Sequence, residues 1–304
     1  MTGVHSGDGA MVETVAVIGL GGMGSGMAHQ LLAKGYTVRV WNRSPAATEP
    51  LVAAGAVRAA TPAEAVEPGG IVVTMVANDA ALDSVTRGPD GFLARLGGGL
   101  HISTSTIGVA LARDLAAAHA AVGGNWLAAP VFGRPEAAAS GKLWVMLSGS
   151  DRAKERGQHV LADLSQGVFD LGAEPDGAVA GKIAGNFLIA SAMEAMSEAF
   201  ALLEKRGVDA RAFHAMISQT ILASPIYANY GRFILDRAFS PPGFRLALGA
   251  KDVGLALAAG QESDVPLPFA SLLRDRFLAA MARGQGELDW TSIALGSRAD
   301  AGLD

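Results

Sequence analysis

Cysteine is absent from the 304-residue chain, which excludes disulfides, thiol catalysis and cysteine-bound metals and fits a cytoplasmic address. Histidine is sparse: the residues at 5, 29, 101, 119, 159 and 214 form no close pair along the sequence, so no metal site is expected. Only His101, near the end of a predicted strand, is singled out among them. Charge is scarce as well, at 17% of residues with a net of −5 and no basic stripe, which argues against nucleic acid as a partner. No uninterrupted apolar run reaches the length of a bilayer span, and the positive mean hydropathy reflects alanine, so a soluble protein without a membrane partner is expected. A GxSxG elbow and a Ser/His/Asp arrangement are also missing, which removes the usual argument for a hydrolase. Residues 1–11 are small and polar without a positively charged n-region, so the apolar run that follows reads as a first core strand and residues 1–12 as a flexible extension.

What the chain does have is a strand-turn-helix-strand pattern over residues 15–44. The apolar run 15–18 breaks into Gly19-Leu20-Gly21-Gly22-Met23-Gly24, an amphipathic helix is expected over 27–34, Gly35 stops it, and a second strand covers 37–41. Such a GxGxxG turn suits a dinucleotide. Its first glycine allows a tight turn, its second lets a diphosphate approach the backbone, and its third lets the helix pack close to its strand. Unpaired amides and the dipole at the helix start favour the phosphates. About 20 residues further on, NAD enzymes usually carry an acid for the ribose hydroxyl. This chain carries Asn42-Arg43-Ser44 instead. No carboxylate repels a 2′-phosphate there, Arg43 can clamp one, and Asn42 and Ser44 can donate to it, which favours NADP(H) over NAD(H). The plainer reading makes Arg43 a solvated turn residue.

Apolar runs alternate with helical stretches up to about residue 171. Further strands are expected at 71–76, 100–103, 125–128, 143–147 and 167–171, and helices at 45–54, 62–66, 80–86, 109–122 and 151–164. Beyond Asp176 only helical patterns follow, at 176–206, 210–218, 226–236, 246–262 and 268–283. The fold expected is therefore α/β, a Rossmann-type doubly wound parallel sheet over residues 13–175, followed by an all-α domain over 176–304.

The first long helix of that second part contains Lys182 as its only cation between Asp176 and Lys205. From 183 to 193 only Asn186 and Ser191 are appreciably polar, so Lys182 is expected against an apolar surface that lowers its pKa. A lysine so tuned can exchange a proton with a substrate oxygen. Asn186 lies four residues on, hence on the same face. The alternative is a snorkelling lysine and an asparagine bonded across a domain interface. The Met193/Met196/Phe200 stripe reads as helix core. Ser103 to Thr106 forms a hydroxyl-rich turn after a strand, a common place for ligand contacts, with Ser105 a candidate for substrate.

The turn GLGGMGSGMA, the WNRS ending, Ser105-Thr106-Ile107, Ala129-Pro130-Val131, the Lys182/Asn186 pair, and the block from Phe244 through Lys251-Asp252 to Pro268 together resemble the β-hydroxyacid dehydrogenase family. That family includes 3-hydroxyisobutyrate dehydrogenases, tartronate semialdehyde reductases and glyoxylate/succinic semialdehyde reductases. The resemblance runs from about residue 15 to about 269. It implies an NADPH-dependent enzyme moving hydride between nicotinamide and a small hydroxyacid, aldehyde or oxoacid, with Lys182 as catalytic proton donor and acceptor. It further implies that Asn186 holds substrate, that Met75, Val76 and Ala77 line the nucleotide groove, and that Thr106 borders the nicotinamide. Lys251 would reach the cofactor, with Asp252 and Phe244 near the substrate. A homodimer or homotetramer through the helical domain is implied too. An imine reductase acting on C=N bonds is the rival within enzymes, and a non-catalytic cofactor-binding protein the rival outside them.

One departure stands out. Where the family typically has Ser-Gly-Gly, a turn that grips the substrate carboxylate, this chain has Phe132-Gly133-Arg134. Phe132 removes a hydroxyl and adds an apolar wall. Arg134 can either pair a carboxylate in two parallel bonds or turn to Glu136 or a cofactor phosphate.

Overall fold

The computed structural model describes residues 13–303, so the extension expected over residues 1–12 lies outside the described residues. By internal contacts the chain forms two units. The first takes the described residues up to Ser105 together with Leu111–Ala178, and the second takes Thr106–Ala110 and the described residues from Val179 onward. The sequence reading placed one boundary at 175/176; the contacts place that crossing at 178/179 and also give the five-residue segment 106–110 to the helical unit.

Nine strands build the sheet of the first unit: β1 (Thr14–Ile18), β2 (Thr37–Trp41), β3 (Val57–Arg58), β4 (Ile71–Thr74), β5 (Leu100–Ser103), β6 (Asn125–Ala128), β7 (Val131–Phe132), β8 (Leu143–Gly149) and β9 (Ser165–Asp170). Their order is β3-β2-β1-β4-β5-β6-β8-β7, with β9 also on β8. From β3 to β6 every pairing is parallel, and β4 and β5 are buried at every position, as expected for a sheet covered on both faces. The sheet is mixed, which corrects the fully parallel expectation: β8 runs antiparallel to β6 and β7. Between β7 and β8 the chain turns back through a short link. Its helix, Pro135–Ala139, packs against helix Gly22–Ala33, so closely that a Cβ on Gly26 would lie 2.8 Å from the Ala139 amide nitrogen.

Most of the second unit is supplied by helix Gly177–Lys205 from Val179 onward and by helices Ala210–Gln219, Pro225–Leu235, Leu246–Glu262, Pro268–Ala282 and Ala294–Asp300. Met193, Met196 and Phe200 are buried in its core with Leu273, Phe277 and Trp290, as the stripe predicted. Asp176, directly before the helix Gly177–Lys205, makes an ion pair with Arg113 at 2.7 Å, and Ser148 Oγ on β8 accepts from the Ala178 amide at 2.8 Å. By length and composition the helix Gly177–Lys205 could cross a membrane, although charged and polar residues interrupt its apolar runs. Lys182, Asn186, Glu194 and Ser197 are nevertheless buried within protein along it, and Arg276 Nε sits 2.7 Å from Glu194 Oε1. Charged groups satisfied in this way mark the core helix of a folded unit.

Two histidines that are far apart in sequence come together in space. His101 and His119, 18 residues apart, meet inside the first unit between Phe92 and Trp126. Their bonds close with both rings neutral: His119 Nδ1 donates to Leu115 O (2.7 Å), its Nε2 accepts from His101 Nδ1 (3.2 Å), and His101 Nε2 accepts from the Thr74 hydroxyl (2.8 Å). Burial holds His101 well below the usual imidazole range and brings His119 down to about 4. The pair is a satisfied core element, and among the described residues no cluster could hold a metal.

Candidate active site

The glycine turn follows from sterics. Gly19 has φ +92°, a value that favours glycine, and a Cβ there would lie 2.3 Å from Met75 O. A Cβ on Gly24 would lie 1.9 Å from Gly19 O, so the third glycine is fixed by the carbonyl of the first. Around Gly21 a Cβ would meet nothing within 4 Å, which leaves open space beside the helix start where a diphosphate can lie. The helix begins at Gly22, earlier than the expected residue 27, because tertiary packing outweighs glycine's low propensity. These features fit a dinucleotide phosphate group.

Asn42 plays a different part from the one expected. Its Oδ1 accepts from the Leu20 amide (2.9 Å) and its Nδ2 donates to Ser44 O (3.0 Å), so the side chain braces the turn from the end of β2. Arg43 and Ser44 are exposed beside it. Across the sheet, Met75 and Val76 are half-buried and Ala77 is exposed. Ser105 is 1% exposed, and its Oγ accepts from the Val76 amide at 2.9 Å, joining the ends of β4 and β5. The glycine turn, Asn42, Met75 and Ser105 thus form one rim at the carboxyl ends of the parallel strands.

The departing turn is held at both ends. Phe132 ends β7 opposite Trp144, Gly133 takes φ +142°, and half-buried Arg134 occupies the N-cap of helix Pro135–Ala139 without a side-chain cap bond. Pro135 Cγ would lie 3.2 Å from a Cβ on Gly22, so this turn is seated on the dinucleotide helix.

In the helical unit, Lys182 is 8% exposed. Burial lowers its pKa to about 7, with Asp252 pulling it upward and Lys251 downward. Asn186, one turn on and 4% exposed, donates from Nδ2 to Asp252 Oδ2 at 2.5 Å. Lys251 Nζ lies 3.1 Å from Asp252 Oδ1 and donates to Thr106 O at 2.6 Å. Lys182, Asn186, Lys251, Asp252 and the segment starting at Thr106 are therefore one constellation. Phe244 stands apart from these bonds: its ring meets Trp290 edge-on at 4.8 Å, and its amide donates to Asp289 Oδ2 at 3.1 Å. Asp289, 1% exposed and also accepting from Gly243, Thr291 N and Thr291 Oγ1, organises that loop. The sequence reading missed it, and the only signal was an acid among Leu288, Trp290 and Ile293.

Comparison with known proteins gives this geometry its context. The model of the NAD binding domain of 6-phosphogluconate dehydrogenase matches residues 14–172, and that described as NAD-binding of NADP-dependent 3-hydroxyisobutyrate dehydrogenase matches residues 177–295. An uncharacterised oxidoreductase of Bacillus subtilis, YfjR, is 44% identical over 280 residues, covering 92% of this chain and 98% of that protein. The 3-hydroxyisobutyrate dehydrogenase of Pseudomonas aeruginosa is 34% identical over 288 residues, covering 92% and 96%. A solved structure of Mycobacterium tuberculosis 3-hydroxyisobutyrate dehydrogenase with L-serine superposes with a TM-score of 0.85 at 29% identity, covering 95% and 100%. The chain is thus an NAD(P)-binding oxidoreductase of the class acting on CH–OH groups. It belongs to the β-hydroxyacid dehydrogenase family, on its 3-hydroxyisobutyrate dehydrogenase-like branch.

The two glycines should separate folding from cofactor binding. Gly24→Ala forces backbone apart and is expected to lower stability by about 3 kcal/mol or more. Gly21→Ala should leave the unfolding midpoint nearly unchanged while weakening dinucleotide binding by about 30-fold or more. Thermal unfolding and a fluorescence titration with NADPH read the two effects; equal destabilisation by both would contradict the assignment.

Proposed function

We propose that this chain is a cytoplasmic, NADPH-dependent enzyme acting on a small hydroxyacid, aldehyde or oxoacid, with Lys182 as the group that gives and takes the proton. The burial of the Lys182 ammonium, which brings its pKa to about 7, carries this reading. When bound, the dihydronicotinamide supplies hydride. Lys182 Nζ protonates the carbonyl oxygen in the reducing direction and, when neutral, accepts the hydroxyl proton in the oxidising one. Asn186, fixed by Asp252, presents its remaining amide atoms to substrate. Phe132, Gly133 and Arg134 form the substrate turn, with Arg134 taking the carboxylate in place of the family's serine. Ser105 contributes by holding the Val76 amide. Arg43, assisted by Ser44, clamps the 2′-phosphate, and Asn42 shapes the turn beneath it.

The helical unit supports association of identical chains. Along helix Gly177–Lys205, Ala184, Leu188, Ala195 and Leu202 are exposed on one face beside Glu198, and the two leucines, 65% and 63% exposed, lie two heptads apart. We read this face as the contact of a homodimer or homotetramer.

Four outcomes test the reading. Lys182→Ala should lower kcat about a thousandfold while leaving NADPH affinity nearly intact, assayed over short hydroxyacids, semialdehydes and cyclic imines. In the intact enzyme, reduction should slow as pH rises through about 7, because the proton donor is lost, and oxidation should quicken over the same range. Near-normal turnover in the variant would remove the lysine from the mechanism. Arg43→Ala should weaken NADPH about 30-fold and NADH less than about twofold; equal weakening would contradict the clamp. Leu188→Glu with Leu202→Glu should reduce the mass found by light scattering to that of one chain, and a monomeric parent protein would contradict the association.

A further inference from the structure

A cavity of about 190 Å³ opens in the helical unit, walled by the last two turns of helix Gly177–Lys205, the end of helix Pro225–Leu235 and helix Ala294–Asp300. Its floor is apolar, formed by Phe200, Ala201, Ile234 and Ala294, all buried. Beside them the Ser197 hydroxyl, 2% exposed, donates to Met193 O at 2.6 Å. Among the described residues, the charged groups that line the cavity are Glu204, Arg237 and Arg298. Arg298 Nη1 donates to Glu204 Oε2 at 2.5 Å, so the one acid is engaged and the lining carries an excess of positive charge. The cavity is separate from the sites described above. Ser197 lies fifteen residues beyond Lys182 on the same helix, about 22 Å of rise, and the helical period puts Ser197, Phe200, Ala201 and Glu204 on the side opposite Leu188 and Leu202.

Arg237 stands where a helix usually ends on glycine. Helix Pro225–Leu235 closes in a turn in which the Arg237 amide donates to Ile234 O (3.1 Å) and the Ala238 amide donates to Phe233 O (3.0 Å). That turn requires left-handed backbone at the position of Arg237, which adopts it with φ +49°. A side chain retained where its backbone is disfavoured points to a use for that side chain, and here it lines the cavity.

We propose that this cavity binds a short-chain monocarboxylic acid, whose carboxylate meets the guanidinium groups of Arg237 and Arg298 while its carbon chain lies on the apolar floor. Each part of the lining selects one property of the ligand. The excess of positive charge favours an anion, and guanidinium groups bond a carboxylate strongly. The buried floor favours a hydrocarbon chain over a fully polar anion such as phosphate. The volume is below the roughly 300 Å³ at which drug-sized pockets begin, which limits the chain to a few carbons.

Isothermal titration calorimetry of the full-length protein with acetate, butanoate and hexanoate tests this. Affinity should rise about fourfold with each methylene added. Hexylamine and hexan-1-ol, which keep the chain and lose the negative charge, should bind at least about tenfold more weakly than hexanoate. Arg237→Gly should weaken hexanoate about tenfold or more without lowering the unfolding midpoint, because glycine suits the left-handed backbone there. Should that variant fold poorly, Arg237→Asn removes the same charge with a residue that tolerates the same backbone. Arg134→Ala, which alters the turn assigned to substrate, should leave hexanoate binding within about twofold of the parent protein. The proposal is overturned if hexanoate does not bind at concentrations up to about 10 mM. It is also overturned if hexylamine binds as well as hexanoate, if hexanoate binding survives the loss of the Arg237 charge, or if Arg134→Ala removes it.

Discussion

A buried ammonium group is the constraint around which the helical unit is arranged. Taking Lys182 out of water disfavours its charge, a cost that a nearby carboxylate offsets in part. The offset comes from Asp252, on a helix some 70 residues away in sequence, and that carboxylate is itself held by Asn186 and Lys251. The spacing of Lys182 and Asn186, the buried acid and the tether to Thr106 are therefore parts of one electrostatic arrangement. Each would be an odd choice alone. A lone buried aspartate or lysine is unfavourable, whereas together they leave one amine that can change charge near neutral pH.

The first unit solves a different problem, the approach of a diphosphate to the backbone. Gly19 and Gly24 bring strand, turn and helix closer than any side chain permits, and Gly21 keeps the opening clear. Asn42 and Ser105 then spend their side chains on amides of that rim. Polar residues near a ligand site are often supports in this way, and a support is easily mistaken for a contact when only the order of residues is known.

Much of this was legible before any coordinates. Strands at 100–103 and 125–128 and helices at 151–164 and 246–262 appear with the bounds expected, because continuous apolar runs and clear breakers mark them. The turn at 19–24 and the pairing of Lys182 with Asn186 were also readable, being local spacings. What escaped was short or distant. The two-residue strands β3 and β7 have too few positions for a period, and the helix Pro135–Ala139 holds only five residues. The meeting of His101 with His119, the use of Asn42 inside the turn and the Lys251 bond to Thr106 depend on tertiary contacts that no local pattern encodes. The reversal of β8 escaped for the same reason, since its antiparallel pairing with β6 and β7 is itself a tertiary contact.

The Phe132-Gly133-Arg134 turn stands where the resemblance implies a hydroxyl-bearing one, and it sets this chain's substrate turn apart. The central claim concerns Lys182 and can be examined without any substrate. Titrating the protein with lysine side chains labelled at the carbon beside the amine, and following them by NMR, should reveal a single lysine that changes charge near pH 7 and disappears from the spectrum of Lys182→Arg. If every lysine instead titrates in the ordinary range near about 10.4, the amine is not the tuned group described and the account fails.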